Sequence, residues 1–230
     1  MIVKLTELIE KLESGSRPKG GVKNGNTGIP SLGAEHLDSK GGFTFKKIKF
    51  VPEEFFRNQK KGLIIKGDIL LVKDGATTGK VSYVDQSFPF EEASINEHVF
   101  KISINKNLSI PKYVFWHLFG QIGHNQILED FRGATVGGIS RGFTKNVKIP
   151  LPPLEEQKRI VRILDQADSL RQKRQKAISL LDDYLKAVFL EMFGDPISNP
   201  NGVKTAKIKD LGEVVTGNTP SRKVPENYGN

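Results

Sequence analysis

Apolar positions along this chain follow two different periods, and the change between them divides it. Up to about residue 148 they come in short runs broken by glycine. Gly62-Leu63-Ile64-Ile65 and Ile69-Leu70-Leu71-Val72 flank Lys66-Gly67-Asp68, which predicts two strands joined by a turn. Lys80-Val81-Ser82-Tyr83-Val84 and His98-Val99-Phe100-Lys101-Ile102-Ser103-Ile104 alternate polar and apolar positions, as half-buried strands do. Tyr113 to Phe119, just after Pro111, predicts a helix whose aromatic bulk belongs to a core. Residues 1–150 are therefore expected to form a globular α+β domain.

Ile149-Pro150-Leu151-Pro152-Pro153 ends that texture, because proline donates no backbone hydrogen bond and stiffens the chain. From Leu154 to Phe193 there is neither Gly nor Pro, and the period becomes helical. Ile160, Ala167, Arg174, Leu181 and Val188 share one heptad position, and Ile163, Leu170, Ala177 and Tyr184 share the other. Leu164, Ile178 and Leu185 widen the stripe. At about 1.5 Å per residue the rod would be about 60 Å long. Gly194-Asp195-Pro196 supplies the stop. A long helix with one apolar stripe needs a partner, and no second long heptad run occurs in the sequence, so the segment 151–196 is expected to dimerise. Arg174 on the seam either fixes register or snorkels to solvent. Residues 197–230 are a linker and the start of something further.

Charge narrows the partner. The net charge is +9, and residues 1–153 hold 22 Lys/Arg against 15 Asp/Glu, so the excess sits on the globule. Such a surface suits a polyanion, most often nucleic acid, although solubility alone also explains a basic balance. Cysteine is absent, which excludes disulfides and thiolate chemistry. Neither a signal peptide nor a membrane span is legible, so a cytoplasmic location is expected, with no membrane partner.

Candidate chemistry fails on inspection. Gly75-Ala76-Thr77-Thr78-Gly79-Lys80-Val81 places three residues between its glycines and Val after its Lys, where a phosphate-binding loop needs four and a hydroxyl. His36, His98, His117 and His124 lack ligand spacing, and no Gly-x-Ser-x-Gly occurs. No catalytic residue, metal site or cofactor site is expected. What remains is a pair of Gly-rich polar loops, residues 14–28 (with Ser16, Arg17, Lys19, Lys23, Asn24 and Asn26) and residues 131–142. Their side chains are of the kind that reach phosphates and base edges.

The chain also repeats itself. Lys4-Leu5-Thr6-Glu7-Leu8-Ile9-Glu10-Lys11-Leu12, leading to Gly15-Ser16-Arg17-Pro18, is echoed by Lys207-Ile208-Lys209-Asp210-Leu211-Gly212-Glu213-Val214-Val215, leading to Gly217-Asn218-Thr219-Pro220. A period of about 203 residues implies a domain-sized unit and the opening of a second.

Four stretches resemble a known family: Leu8 to Pro18 with Gly28-Ile29-Pro30, Lys66 to Lys80, Ile110 to Val114, and Ile149 to Val161. Over residues 1 to about 196, restarting near Lys207, the chain resembles the DNA-specificity subunit of type I restriction–modification systems. The resemblance implies two target-recognition domains, each followed by a long helix, with the helices antiparallel so that two short elements of double-stranded DNA are read across a gap. It implies a subunit without catalysis or cofactor. Methyltransferase subunits would carry S-adenosylmethionine and modify adenine, and a motor–nuclease subunit would cleave.

This chain departs from that pattern in having one recognition domain. It is then either a half-length subunit that homodimerises through residues 154–193 on an inverted-repeat target, or an inactive truncated fragment with 201–230 disordered. A coiled-coil scaffold without DNA recognition would explain the rod but not the basic globule. On the resemblance, the recognition loops carry Arg17, Lys19, Lys73, Thr77, Thr78, Lys80, Arg132, Ser140 and Arg141.

Overall fold

The computed structural model describes residues 1–22, 27–133, 137–213 and 215–217; Lys23, Asn24, Asn26, residues 134–136 and Asn218 onward lie outside the described residues. The chain opens with strand β1 (Ile2–Lys4), the helical turn α1 (Leu5–Leu8) and strand β2 (Ile9–Ser14). Strands β3 (Ile29–Leu32) and β4 (Lys49–Val51) follow, then helix α2 (Glu53–Asn58) and strands β5 (Ile69–Val72) and β6 (Val81–Tyr83). Strands β7 (Ser94–Ile95) and β8 (Val99–Ile104) lead into helices α3 (Pro111–Phe119), α4 (Gln121–Leu128) and α5 (Phe143–Asn146). Strand β9 (Lys148–Pro150) precedes the long helix α6 (Leu154–Phe193), and the turn α7 (Ile208–Leu211) lies in the tail. The fold class is α+β. Two compact units result, Met1–Ser169 and Leu170–Asn230, so the first extends past the Pro150 boundary read from the sequence.

In the first unit an antiparallel sheet of order β2-β8-β5-β6 stands at the centre. A second sheet of order β4-β3-β7 pairs β3 with β4 antiparallel and with β7 parallel. Strand β5 is apolar at every position because both of its faces are covered. Ile69 and Leu71 enter one core with Leu5, Leu8, Ile102, Val114 and Leu118. Leu70 and Val72 enter the other with Leu32, Leu37, Ile95 and Val99, beside a cluster of Phe43, Phe45, Phe88 and Phe90. The expected strand over Gly62–Ile65 does not form; that segment makes an isolated bridge from Leu63 to Ser94, so Lys66-Gly67-Asp68 is a turn into β5 alone.

The alternation in β8 suggested one wet face, yet Lys101 is only 5% exposed. Its ammonium lies 3.0 Å from Glu13 Oε2 and 3.7 Å from Asp68 Oδ2, which compensates the burial. Asp68 also accepts the Ser103 hydroxyl at 2.7 Å and the Ile65 amide at 2.9 Å. Burial works against the Glu13 carboxylate, but the Gly62 amide and Lys101 outweigh it and hold the carboxyl below its ordinary 4.5. At Asp68 burial dominates and pushes the carboxyl up despite the Ile65 amide, Ser103 and Lys101.

The start of α6 is fastened to this unit. Strands β1 and β9 pair antiparallel, Val3 opposite Ile149, and the Tyr113 hydroxyl donates to the Pro150 carbonyl at 2.6 Å. Gln157 is fully buried: its Oε1 accepts the Ser109 hydroxyl and the Ile110 amide, each at 2.9 Å, and its Nε2 donates to the Pro152 carbonyl at 2.9 Å. One turn further, Ile160 and Val161 pack on the first core. Asp165 then accepts from Lys112 Nζ and Trp116 Nε1, each at 2.9 Å.

In the second unit the helix runs on to Phe193 and stops where the sequence indicated. Gly194 adopts φ +76°, a left-handed conformation that favours glycine, and its amide donates to the Leu190 carbonyl at 2.8 Å. Turn α7 repeats α1: the Lys4 amide donates to Glu7 at 2.8 Å, and the Lys207 amide donates to Asp210 at 3.3 Å. Leu5 and Leu8 are buried in α1, whereas Ile208 and Leu211 are 75% and 77% exposed.

Replacing Lys101 by Ala strands two carboxylates and is expected to cost about 3–5 kcal/mol in denaturant unfolding. Stability owed to Glu13 is complete above pH 4.5 and lost as the pH falls below it, so Glu13→Gln flattens that acid limb. Asp68 acts in the opposite sense, costing stability as the pH rises above its ordinary 3.8. Unfolding curves recorded across this range for Glu13→Gln and Asp68→Asn check the signs.

Candidate nucleic-acid interface

The loops that leave one end of the central sheet are tied to one another by backbone. After β5 the chain continues as Lys73-Asp74-Gly75, and the 131–142 loop zips against it. The Ile139 amide donates to the Lys73 carbonyl at 2.7 Å, and the Gly75 amide to the Gly137 carbonyl at 3.1 Å. Gly138 bridges both Asp74 and Arg132. A Cβ on Gly138 would stand 2.8 Å from the Lys73 carbonyl oxygen, so only glycine permits this approach.

A second tie is ionic. Arg17 lies 2.7 Å from Glu97 Oε1, and His98 Nε2 lies 3.4 Å from the same oxygen. The other ring nitrogen of His98 meets Asp74 Oδ1, while Lys73 Nζ sits 3.7 Å from Asp74 Oδ2 and 5.7 Å above the Phe100 ring. The Lys73 amide also donates to the His98 carbonyl at 2.9 Å. Arg17, Lys73 and Arg132, far apart in sequence, are thereby brought to one region. Asp130, buried beside it, accepts both the amide and the hydroxyl of Ser140 at 2.7 Å and pairs with Arg132 at 3.5 Å.

The other expected residues divide. Lys19, Arg132 and Arg141 are exposed and available to a ligand. Ser140 spends its hydroxyl on Asp130 and holds its loop in place. Thr77 and Thr78 lie in the turn between β5 and β6, where the Thr78 hydroxyl donates to the Gly75 carbonyl at 2.7 Å. Lys80 Nζ donates to the Leu37 carbonyl at 3.0 Å, so its charge first serves to pin the turn to the 37–42 segment. Thr77, Thr78 and Lys80 line a cavity of about 350 Å³ together with Ser39, Phe119 and His124, apart from the Arg17 network. Sequence reasoning missed Asp74, Glu97, His98 and Asp130; the contact of His98 with Asp74 spans 24 residues and that of Asp130 with Ser140 spans 10. A polar Asn96-Glu97-His98 turn directly before the β8 alternation was the one available signal.

Along the expected helical stripe, Ile160 is taken up by the first unit, while Ile163, Leu170, Leu181 and Tyr184 are 49%, 51%, 57% and 64% exposed. Ala167, Arg174 and Ala177 are exposed as well, and Val188 is half-buried. No group of three or more potential metal ligands occurs among the described residues, and no described helix is long and apolar enough to cross a membrane.

Residues 1–180 match the family model of the type I restriction modification DNA specificity domain. Among curated proteins, the chain is 26% identical over 184 residues to the type I restriction enzyme MjaVIII specificity subunit of Methanocaldococcus jannaschii, covering 80% of this chain and 39% of that protein. It is 27% identical to the MjaX specificity subunit, assigned as putative, of the same organism, covering 91% of this chain and 49% of the relative. The fold is shared with the specificity subunit of Thermoanaerobacter tengcongensis, at TM-score 0.53 and 20% identity over 85% of this chain and 50% of that one. A type I restriction–modification assembly gives TM-score 0.60 at 22% identity, covering 82% of this chain and 43% of the matched one. The chain thus spans about half the length, or less, of these relatives.

Asp130→Ala is expected to unfasten the 131–142 loop, with amide-exchange protection at Ser140 falling by about 1–3 kcal/mol. Exchange at β5 should be unchanged.

Proposed function

The chain belongs to the type I restriction modification DNA specificity family, and on that premise we propose that it is the sequence-recognition subunit of such a system. It would bind double-stranded DNA through the loops of residues 1–150 and direct methyltransferase and motor–nuclease subunits to a split target. The observation that carries this reading is the convergence of Arg17, Lys73 and Arg132 on a globule with 22 basic against 15 acidic residues. Exposed guanidinium groups on Gly-rich loops suit both phosphates and base edges. The catalytic work falls to partners: S-adenosylmethionine would sit on the methyltransferase subunit, and this chain would act without a cofactor in the cytoplasm.

Two copies would pair through α6. Along α6, Ile163, Leu170, Ile178, Leu181, Tyr184, Leu185 and Phe189 are each about half exposed or more, an apolar face of the kind that marks an interaction surface. A two-fold pairing of antiparallel helices gives an inverted-repeat target with an unread centre. The alternative, a fragment of a two-domain subunit, is favoured by α7, whose exposed Ile208 and Leu211 repeat residues that α1 buries.

Light scattering behind a sizing column separates these. A mass of twice 25.6 kDa, reduced to the single value by Leu170→Glu with Leu181→Glu, is expected for the dimer; a wild-type monomer would overturn it. On DNA, Arg132→Ala or Arg141→Ala should cost about 1–3 kcal/mol at one target position if the arginine reads a base. Lys19→Ala should weaken all sequences alike, with a shallower salt dependence. Methylation of every target unchanged by both arginine variants would remove them from the interface.

A further inference from the structure

Three cations of the recognition loops are already matched by carboxylates: Arg17 by Glu97, Lys73 by Asp74 and Arg132 by Asp130. Asp130 is buried and has a loop to hold. Glu97 and Asp74 are different, with side chains 33% and 32% exposed, and they meet across the ring of His98. Both Arg17 and His98 address Glu97 Oε1. Glu97 Oε2 is sealed from solvent and has no hydrogen-bond partner among the described residues. A buried carboxylate oxygen without a donor is a standing cost, and on a face that must approach a polyanion it is a double one.

We propose that Glu97, positioned by His98 and Asp74, is a base-reading acceptor for an exocyclic amino group, N4 of cytosine or N6 of adenine, in the major groove. The proposal rests on the DNA-recognition reading above and adds the chemistry of one contact. When Arg17 turns to a phosphate, Glu97 Oε1 keeps only His98 Nε2 at 3.4 Å inside a drying interface, and the exposed part of the carboxylate then needs a donor. Cytosine and adenine offer an N–H there, whereas guanine O6 and thymine O4 offer lone pairs and repel a carboxylate. A face built only to hold phosphates has no use for an acceptor at this point. Glu97 therefore converts part of the general attraction of Arg17 for DNA into a choice of base.

The test is selection from a randomised duplex pool by the chain assembled with its methyltransferase subunits, comparing wild type, Glu97→Gln and Glu97→Asp. The wild type should enrich C or A at one position, about tenfold to a hundredfold over G or T. In Glu97→Gln that one preference should collapse or move toward adenine, which an amide pairs bidentately. Other positions should persist, and affinity for random DNA should rise with the loss of a negative charge. Glu97→Asp, which keeps the charge on a shorter arm, should weaken the same position only. Preferences unchanged at every position in Glu97→Gln overturn the proposal, as does equal loss at every position in both variants, which would make Glu97 a strut. A wild type that enriches no sequence at all overturns the recognition reading itself, and this contact with it.

Discussion

Burial of strand β5 on both faces is the constraint from which the rest of the first unit follows. Four consecutive aliphatic residues can be dry on both sides only if two layers cover them. Helices α1, α3 and the end of α4 supply one layer, and the small second sheet with its phenylalanine cluster supplies the other. Double coverage also explains the buried ammonium of Lys101 on the neighbouring strand. Once the second layer closes over β8, that side chain stays in place only because Glu13 and Asp68 close with it. The chain leaves β5 at Lys73, so whatever follows is held at the edge of a rigid double core. The 73–80 turn and the backbone of Gly137 and Ile139 bonded to it share that anchorage, which the proposed reading of base edges would require.

The second dependence is the seat of α6. Gln157 reads in the sequence as one more polar residue among Glu155, Glu156 and Lys158, yet it is the helix residue with no exposure. Its amide satisfies a hydroxyl, a backbone amide and a carbonyl that would otherwise be orphaned where the helix meets the unit. Asp165, two turns on, repeats the device with Lys112 and Trp116. These contacts draw on α3, so the helix start and the first core are one packed object, and the proline block between them works as a stiff hinge pin more than as a linker.

How much was legible follows from which contacts are local. The bounds of α6, the cap at Gly194, strands β6 and β8 and the start of α3 at Pro111 could be read, because period, Gly and Pro act over a few residues. Strand β7, two residues long and parallel to β3, left no trace, since its existence depends on a partner more than sixty residues earlier. Ile160 was assigned to the helical seam by its heptad position; periodicity says that a face is covered but not by what, and here the first unit covers it. Among candidate site residues, Lys19, Arg132 and Arg141 are exposed. Lys80 and Ser140 turned out to be tied to Leu37 and Asp130, and Asp74, Glu97 and His98 became visible only once the fold joined residues 17, 74 and 97.

Those ties recast what a positive charge means for this domain. A surplus of seven cations over residues 1–153 would suggest a bare basic surface, but Arg17, Lys73 and Arg132 all carry carboxylate neighbours. The part-exposed pairs Arg17–Glu97 and Lys73–Asp74 contribute little to stability, on the order of 0–1 kcal/mol each. Their consequence lies in binding. DNA of any sequence can neutralise a free lysine, and the attraction is then the same everywhere along the duplex. A paired arginine instead exchanges one anion for another, so its gain from a phosphate is reduced by what its carboxylate loses. Only a sequence that also supplies that carboxylate with a donor recovers the difference. On the proposed reading, pairing the cations in the free protein would lower affinity for random DNA more than for a matching site, and discrimination would arise from the very groups that weaken the general attraction.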